Sequence, residues 1–417
     1  MRILITGSSY APEETGIAPY TTGFAEHLVE RGHDVTVITG MPSYPQWQVY
    51  PEYRGALRIL ERRHGVIVRR IRGYVPRRQS TWQRGLFEAS FLLGGLTSAR
   101  MPRPDVVLGV VPALGGGVLA SLAGQHFERP YGLIFQDVTA PAAAQSGVAS
   151  GGRAVGVIRA VEGWTARGAS AIGIIAEGFR PYLRSLGVDS TRIRRVRNWM
   201  HIEEPQLGRA AVRSQLGWPE DAIVCLHAGN MGAKQGLGNI IECARLAVES
   251  DPRHLFVLMG DGNQRPQLVD LAERYQLQNV RFLPIQPAER FSAVLAAADL
   301  LLVNQRASVV NMSLPSKLTS YFSCGRPVVA AVAPESETAT EIRSSDTGVL
   351  VPPDRPELLL QAVRDLAADP VRQKCLAVAG QRYAQTVLSA EQALHGLETL
   401  VETAVASPTG REPVSTR

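Results

Sequence analysis

Hydrophobic positions along the chain fall into short, mainly apolar runs separated by stretches of helical period, the pattern of buried strands alternating with helices. In the first half the runs are Ile3–Thr6, Asp34–Thr39, Val66–Ile71, Asp105–Val110, Tyr131–Gln136, Ala171–Ala176 and Ile193–Arg197. A helix is predicted from about Pro19 to Arg31, stopped by Gly32. The alternation breaks at Asn198-Trp-Met-His-Ile-Glu-Glu-Pro205, which reads as a linker. A second series follows with Ala222–His227, His254–Met259, Val280–Leu283, Leu300–Val303 and Val328–Val332. The fold class is therefore α/β, two Rossmann-like doubly wound domains in tandem, over residues 1–200 and 201–385. A C-terminal helix is expected over 386–405 and a disordered tail over 406–417.

One apolar run, Val106 to Gly124, is long enough to raise the question of a membrane span. Pro112 and the Gly115-Gly116-Gly117 triplet break it, so it reads as a strand, a glycine loop and a packed helix. The start, Met1-Arg-Ile-Leu-Ile-Thr-Gly7, is too short for a signal peptide and reads as a first strand.

Late in the chain, Asn311-Met-Ser-Leu-Pro-Ser-Lys-Leu-Thr-Ser320 follows a buried strand and leads to Cys324-Gly-Arg-Pro327. Pro315 fits the first turn of a helix, and Gly325 with Pro327 a stop. Ser316 and Lys317 then stand on a first turn, with orphan backbone donors and a lysine together. That arrangement is either an anion site or an ordinary capped helix of an α/β domain.

Composition narrows the class. The 417 residues are 45% hydrophobic and 20% charged, as in globular proteins. Four scattered cysteines, Cys225, Cys243, Cys324 and Cys375, form no Cys-x-x-Cys pair and point to a reducing compartment. Charge is uneven. Twelve arginines against Glu61 and Glu88 give +10 between Arg54 and Arg103, while the whole chain is only +6, leaving −4 elsewhere. This segment includes the apolar stretch Gly85–Gly94, so it is either an anionic-membrane docking surface or a solvated basic face beside a core helix. Nucleic acid is not a predicted partner, because no reader motif or stacking platform accompanies the charge.

Several strand ends carry distinctive loops. The first strand leads into Gly7-Ser-Ser-Tyr-Ala-Pro-Glu-Glu-Thr-Gly16, which is not the dinucleotide fingerprint but lets a ligand approach backbone at Gly16. Gln136-Asp137 ends the fifth strand, where a carboxylate serves as a helix cap or a catalyst. His227-Ala-Gly229-Asn-Met-Gly232-Ala-Lys234-Gln-Gly236 and Gly260-Asp-Gly262-Asn follow strands of the second series.

Together these residues resemble the bacterial family-4 glycosyltransferases of the GT-B fold, and within them the colanic-acid-type exopolysaccharide subgroup. The likeness rests on Tyr10–Gly16, Pro19-Tyr20-Thr21, Arg31–Thr39, Pro42–Trp47, Gln136-Asp137, Asn198-Trp199, Gly229–Gly232, Gln235–Leu237, Gly260–Gly262, Pro315–Lys317 and Gly325–Ala330, in order over roughly residues 1–385. It implies two domains facing across a cleft, with the C-terminal helix returning to the first. It further implies transfer of a sugar, with retention, from a nucleotide-sugar donor to a lipid-linked or small-molecule hydroxyl acceptor. Asn230, Gly232, Lys234, Gly262, Pro315, Ser316, Lys317 and Ser320 would hold the donor, with Gly16 closing over its phosphates and Phe282–Gln286 receiving the base. Tyr20 and Gln136 would meet the acceptor, and Asp137 would position or deprotonate its hydroxyl.

Two departures stand out. The paired glutamates that many relatives space E-x7-E fall on Met312 and Ser320, and the usual His-Asp pair is Gln136-Asp137. A charged hydrogen bond contributes about 1.5–3 kcal/mol, so ribose and sugar are expected to be held differently. No Asp-x-Asp occurs and the eight histidines show no ligand spacing, so no metal and no cofactor are expected. Front-face attack, with the departing diphosphate met by helix amides and lysine, is the mechanism implied. A sugar-nucleotide epimerase, a non-catalytic sugar-nucleotide-binding protein and a natural-product glycosyltransferase remain as alternatives. A cytoplasmic location is expected, peripheral to the membrane if the basic stretch docks there.

Overall fold

The computed structural model describes residues 1–76, 81–97, 101–111, 114–141, 152–200, 202, 204–310 and 316–407. The chain divides into two compact units, one of Met1–Asn198 with Glu391–Arg417, the other Trp199–Ala390.

In the first unit the elements run β1 (Arg2–Thr6), α1 (Ala18–Glu30), β2 (Asp34–Gly40), β3 (Arg58–Arg63), β4 (Val66–Ile71), α2 (Thr81–Leu96), β5 (Val106–Val111) and α3 (Leu114–Phe127). There follow β6 (Tyr131–Phe135), α4 (Gly152–Gly168), β7 (Ala171–Ile174), α5 (Phe179–Ser185) and β8 (Ile193–Arg195). The sheet order is β3-β4-β2-β1-β5-β6-β7-β8. All pairs are parallel except the β3–β4 edge hairpin, which the hydrophobic pattern does not announce because β3 reads Arg-Ile-Leu-Glu-Arg-Arg. The other strands are mainly Val, Ile and Leu buried on both faces, the composition a doubly covered parallel sheet requires.

The Gly115–Gly117 triplet does not form a loop. It opens α3, because a Cβ on Gly116 would stand 2.8 Å from the Val110 carbonyl oxygen, and its absence lets the helix settle on the strand ends. Pro112 lies outside the described residues. No helix among the described residues is long and apolar enough to cross a membrane.

The second unit contains α6 (Arg209–Gln215), β9 (Ile223–Ala228), α7 (Gly238–Ser250), β10 (His254–Met259), α8 (Arg265–Arg274), β11 (Val280–Leu283) and α9 (Ala288–Ala297). It continues through β12 (Leu300–Asn304), α10 (Lys317–Ser323), β13 (Val328–Ala331), α11 (Glu337–Ser345), β14 (Gly348–Val351), α12 (Pro356–Ala367) and α13 (Pro370–Thr386). Its sheet order is β11-β10-β9-β12-β13-β14, wholly parallel. The sixth strand, β14, is absent from the sequence-based set because Gly348-Val-Leu-Val351 is short and only partly buried. Asp299 anchors the near end of this sheet, accepting from the Arg213 guanidinium at 2.6 Å and from Val224 N at 2.8 Å.

The last helix, α14 (Ala390–Ala406), returns to the first unit. Glu398 on it accepts from Arg31 Nε at 2.8 Å and lies 3.0 Å from His27 Nε2. Leu400 is fully buried, against the strand at Gly173.

Candidate functional site

In the second unit the strand order reverses between β9 and β12, and in open α/β sheets ligands bind beyond the strand ends at such a switch point. Two loops and a helix meet there. The one after β9 bends at Gly229 (φ +127°), and the one after β10 bends at Gly260 (φ +139°) and Gly262 (φ +154°). These glycines are obligatory. A Cβ on Gly260 would sit 2.0 Å from the Gly229 carbonyl oxygen, and one on Gly262 would sit 2.6 Å from Asn230 Oδ1. Met231 N donates to the Asp261 carbonyl at 2.8 Å and Gln264 N to the Met231 carbonyl at 2.9 Å, so the two loops are laced into one surface.

The third contributor is α10. Tyr321, fully buried, accepts from Ala228 N at 2.7 Å and so fixes this helix against the end of β9. Ser316, the N-cap residue, is itself in helical conformation and makes no side-chain cap bond among the described residues. The Lys317 amine stands 3.1 Å from His227 Nε2 and would touch a Cβ on Gly229 at 3.3 Å.

Burial shapes the charge here. Lys317 is half-buried by area but closely walled by protein, and desolvation pushes its ammonium from 10.5 down to about 7. His227 is buried completely; burial, then the Lys317 charge, holds its imidazole well below its usual range and neutral. A neutral imidazole accepts from the ammonium and adds no second positive charge. The result is a weakly solvated cation at the strand ends, beside the Gly229 bend.

The loop behind it is held by buried amides. Asn304 Nδ2 donates to the carbonyls of Gln235 (2.7 Å) and Gly236 (2.9 Å), and Asn304 Oδ1 accepts from Asn239 Nδ2 at 2.8 Å. Gly232 N donates to Gln235 Oε1 at 3.2 Å. Lys234 is half-buried and its carbonyl accepts from Arg306 N at 3.0 Å.

In the first unit the order reverses between β1 and β5. The loop after β1 holds Gly16 (φ +71°), where a Cβ would lie 3.3 Å from the Tyr44 ring. Glu13, buried, pins the facing loop by accepting from Ser43 N at 2.8 Å and Tyr44 N at 2.9 Å. At the start of α3, Glu88 Oε2 accepts from Gly115 N at 2.9 Å, and burial raises this carboxyl to about 7. Asp137 Oδ1 accepts from Val138 N at 2.9 Å. Glu162 accepts from the next two amides, Thr139 N at 2.7 Å and Ala140 N at 3.1 Å.

Comparison with known proteins decides the family. Residues 15–199 match the glycosyl transferase 4-like domain and residues 208–383 the glycosyl transferases group 1. The chain is 31% identical over 412 residues to the putative colanic acid biosynthesis glycosyl transferase WcaI of Escherichia coli K12, covering 94% of this chain and 98% of that one. The chain belongs to the family-4 glycosyltransferases of the GT-B fold. Solved structures agree on the fold. The sucrose-phosphate synthase of Thermosynechococcus elongatus superposes with a TM-score of 0.73 at 18% identity, covering 96% of this chain and 98% of that one. HepE of Anabaena, in complex with UDP, gives 0.71 at 16%, covering 97% and 100%.

Of the residues expected to serve this glycosyltransferase, Gly232, Gly262 and Lys317 lie on the laced loops and α10, as does the exposed Asn230. Ser316 is exposed at the helix start. Ser320, on α10, is buried. Pro315, like Met312, lies outside the described residues. Tyr20 is 3% exposed and packs in the core of the first unit. Gln136 is engaged in a reciprocal amide pair with Asn198, at 3.0 and 2.8 Å. Sequence reasoning gave no role to His227, Tyr321, Asn304 or Glu162. The available signal was polarity inside apolar runs: His227 and Asn304 each close a strand that is otherwise hydrophobic. Among the described residues no group of three His, Cys, Asp or Glu is placed to hold a metal ion.

Proposed function

We propose that this glycosyltransferase moves a sugar from a nucleotide-diphosphate donor to a hydroxyl of a growing polysaccharide or glycolipid, with retention at the anomeric carbon. The observation that carries the reading is the Lys317 amine, half-desolvated and poised on neutral His227 over the glycine bends at the β9/β12 switch point. A diphosphate laid there meets the open first turn of α10, with Ser316 and Lys317, and the main chain around Asn230, Gly232 and Gly262. Lys234 faces the same phosphates, and Ser320 backs the turn from inside. The base rests at Phe282–Gln286, from the end of β11 into the loop after it.

As the glycosidic bond to the diphosphate breaks, negative charge grows on the leaving oxygen. The ammonium and backbone donors oppose that charge in a poorly solvated place, where electrostatic stabilisation is strongest. The proposed chemistry therefore calls for no metal. The acceptor hydroxyl attacks from the face the diphosphate leaves, with Asp137 positioning it or taking its proton and Gln136 and Tyr20 shaping the surroundings. The relative from E. coli is named for colanic acid biosynthesis, which supports a polysaccharide acceptor. A lipid-linked acceptor places the chain at the inner face of a membrane, and the basic Arg54–Arg103 stretch supports that placement.

A thermal-shift screen of UDP-, GDP- and dTDP-sugars tests the donor, since a true donor raises Tm by mass action. Transfer to an acceptor with the donor's anomeric configuration in the product is expected by NMR. Conversion of the donor with no acceptor present would instead identify an epimerase. Asp137→Asn is expected to lower kcat by roughly 10²–10⁴-fold while leaving the donor's thermal shift intact.

A further inference from the structure

Helix α2 carries its most apolar face outward. Trp82, Leu86, Ala89, Leu93 and Leu96 recur at helical spacing along one stripe, and the four large ones are 43–65% exposed. The opposite face packs inward through Phe91, Gly94 and Gly95. A surface helix of a globular domain normally puts charge where this one puts leucine and tryptophan.

The surroundings say what covers it. A Cβ on Gly94 would lie 3.3 Å from Ile71 Cβ, so Ile71 marks the sheet face that bears α2. In the β3–β4 hairpin Arg58 pairs with Ile71 and Leu60 with Arg69, and alternation adds Arg62 to the same face. Leu60, Arg58 and Arg62 are exposed there. Arg58 also donates to Thr97 Oγ1 at 2.6 Å, which joins the basic edge to the end of α2. The two acids of the segment point away: Glu61 lies on the other sheet face, bound by Arg70, and Glu88 turns inward to Gly115 N. An apolar stripe beside arginines, with the acids turned aside, is complementary to acyl chains beneath anionic headgroups. Two copies of this face would set arginine against arginine.

We propose that α2 is an interfacial helix that lies in the surface of an anionic leaflet, Trp82, Leu86, Leu93 and Leu96 entering the acyl boundary while Arg58 and Arg62 engage lipid phosphates. This rests on the membrane placement given under Proposed function and names the element that produces it. At about 1.5 Å per residue its 16 residues span about 24 Å, a length that lies along a surface and does not cross one.

Co-sedimentation of the full chain with phosphatidylcholine vesicles, with and without phosphatidylglycerol, tests it. Binding is expected only with the anionic lipid, weakened by salt, and reduced on the order of tenfold by each of Leu86→Ser and Leu93→Ser. Tm should not move, because both side chains already face solvent. Vesicles with brominated acyl chains should quench tryptophan fluorescence in the parent chain and much less in Trp82→Phe. Undiminished vesicle binding by the double serine variant would overturn the proposal. So would a self-association that this variant abolishes while vesicle binding persists. Vesicle binding needs neither donor nor acceptor, and transfer to a water-soluble acceptor should survive in the same variant. Failure of the docking element is thereby separated from failure of the transferase reading.

Discussion

Lys317→Met is expected to move stability and donor binding in opposite directions. In the folded chain the ammonium titrates at about 7 against 10.5 for a free lysine. Between those values the unfolded chain holds more protons, so the lysine costs stability at neutral pH, and the cost fades as pH rises towards 10.5. Full desolvation would make this about 4 kcal/mol. Because the side chain is only half-buried and keeps the 3.1 Å contact to His227, we expect about 1–2 kcal/mol. Methionine preserves the stem without the charge, so Tm of the ligand-free variant should rise by a few degrees. Nucleoside diphosphate affinity should fall roughly 10–150-fold, the worth of a charge-assisted hydrogen bond of about 1.5–3 kcal/mol. Affinity of the parent chain should also drop by about tenfold per unit above pH 7, since the bound form is the ammonium. That dependence should vanish in the variant. Scanning calorimetry without ligand, and titration calorimetry with UDP across pH, read both effects. A lower Tm with unchanged affinity and an unchanged pH profile would refute the reasoning and make Lys317 a structural residue.

Gly260→Ala should cost several kcal/mol and abolish donor binding, because its Cβ would fall 2.0 Å from a backbone oxygen. Gly238→Ala, with open space around it, should leave both nearly unchanged; chemical denaturation distinguishes the pair. Asn304→Ala should destabilise the second unit by about 1–3 kcal/mol through the stranded Gln235 and Gly236 carbonyls, measured by urea unfolding. Glu88 has a folded-state value raised from 4.5 to about 7, so the stability it lends is present below pH 4.5 and lost as pH rises through 7. Glu88→Gln, whose amide oxygen still accepts from Gly115 N, should therefore exceed the parent in Tm above pH 7 and match it at about pH 4.

Most of the parallel strands are legible because they are largely apolar runs of the right length; β10, His254–Met259, is buried at every position. What escaped was what periodicity does not encode. Strand β3 is half arginine and exists through its pairing with β4, a tertiary fact. The glycine triplet at 115–117 was read by propensity as a loop, whereas close approach to Val110 makes it the start of a helix. At the site, Lys317 and the glycines were legible from their loops. His227 was not assigned a role, because its meaning depends on a lysine ninety positions later. Tyr20 and Ser320 stand at motif positions, and a motif position does not encode that both are buried.

The final helix has a consequence for biogenesis. Residues 1–198 leave the ribosome well before Glu398 and Leu400, which complete their packing. The second unit, whose segment is continuous from Trp199 to Ala390, has all its strands in hand earlier. A nascent chain therefore waits with its amino-terminal half unfinished while an inserted module is synthesised, and truncation anywhere before residue 398 should leave that half without its closing helix.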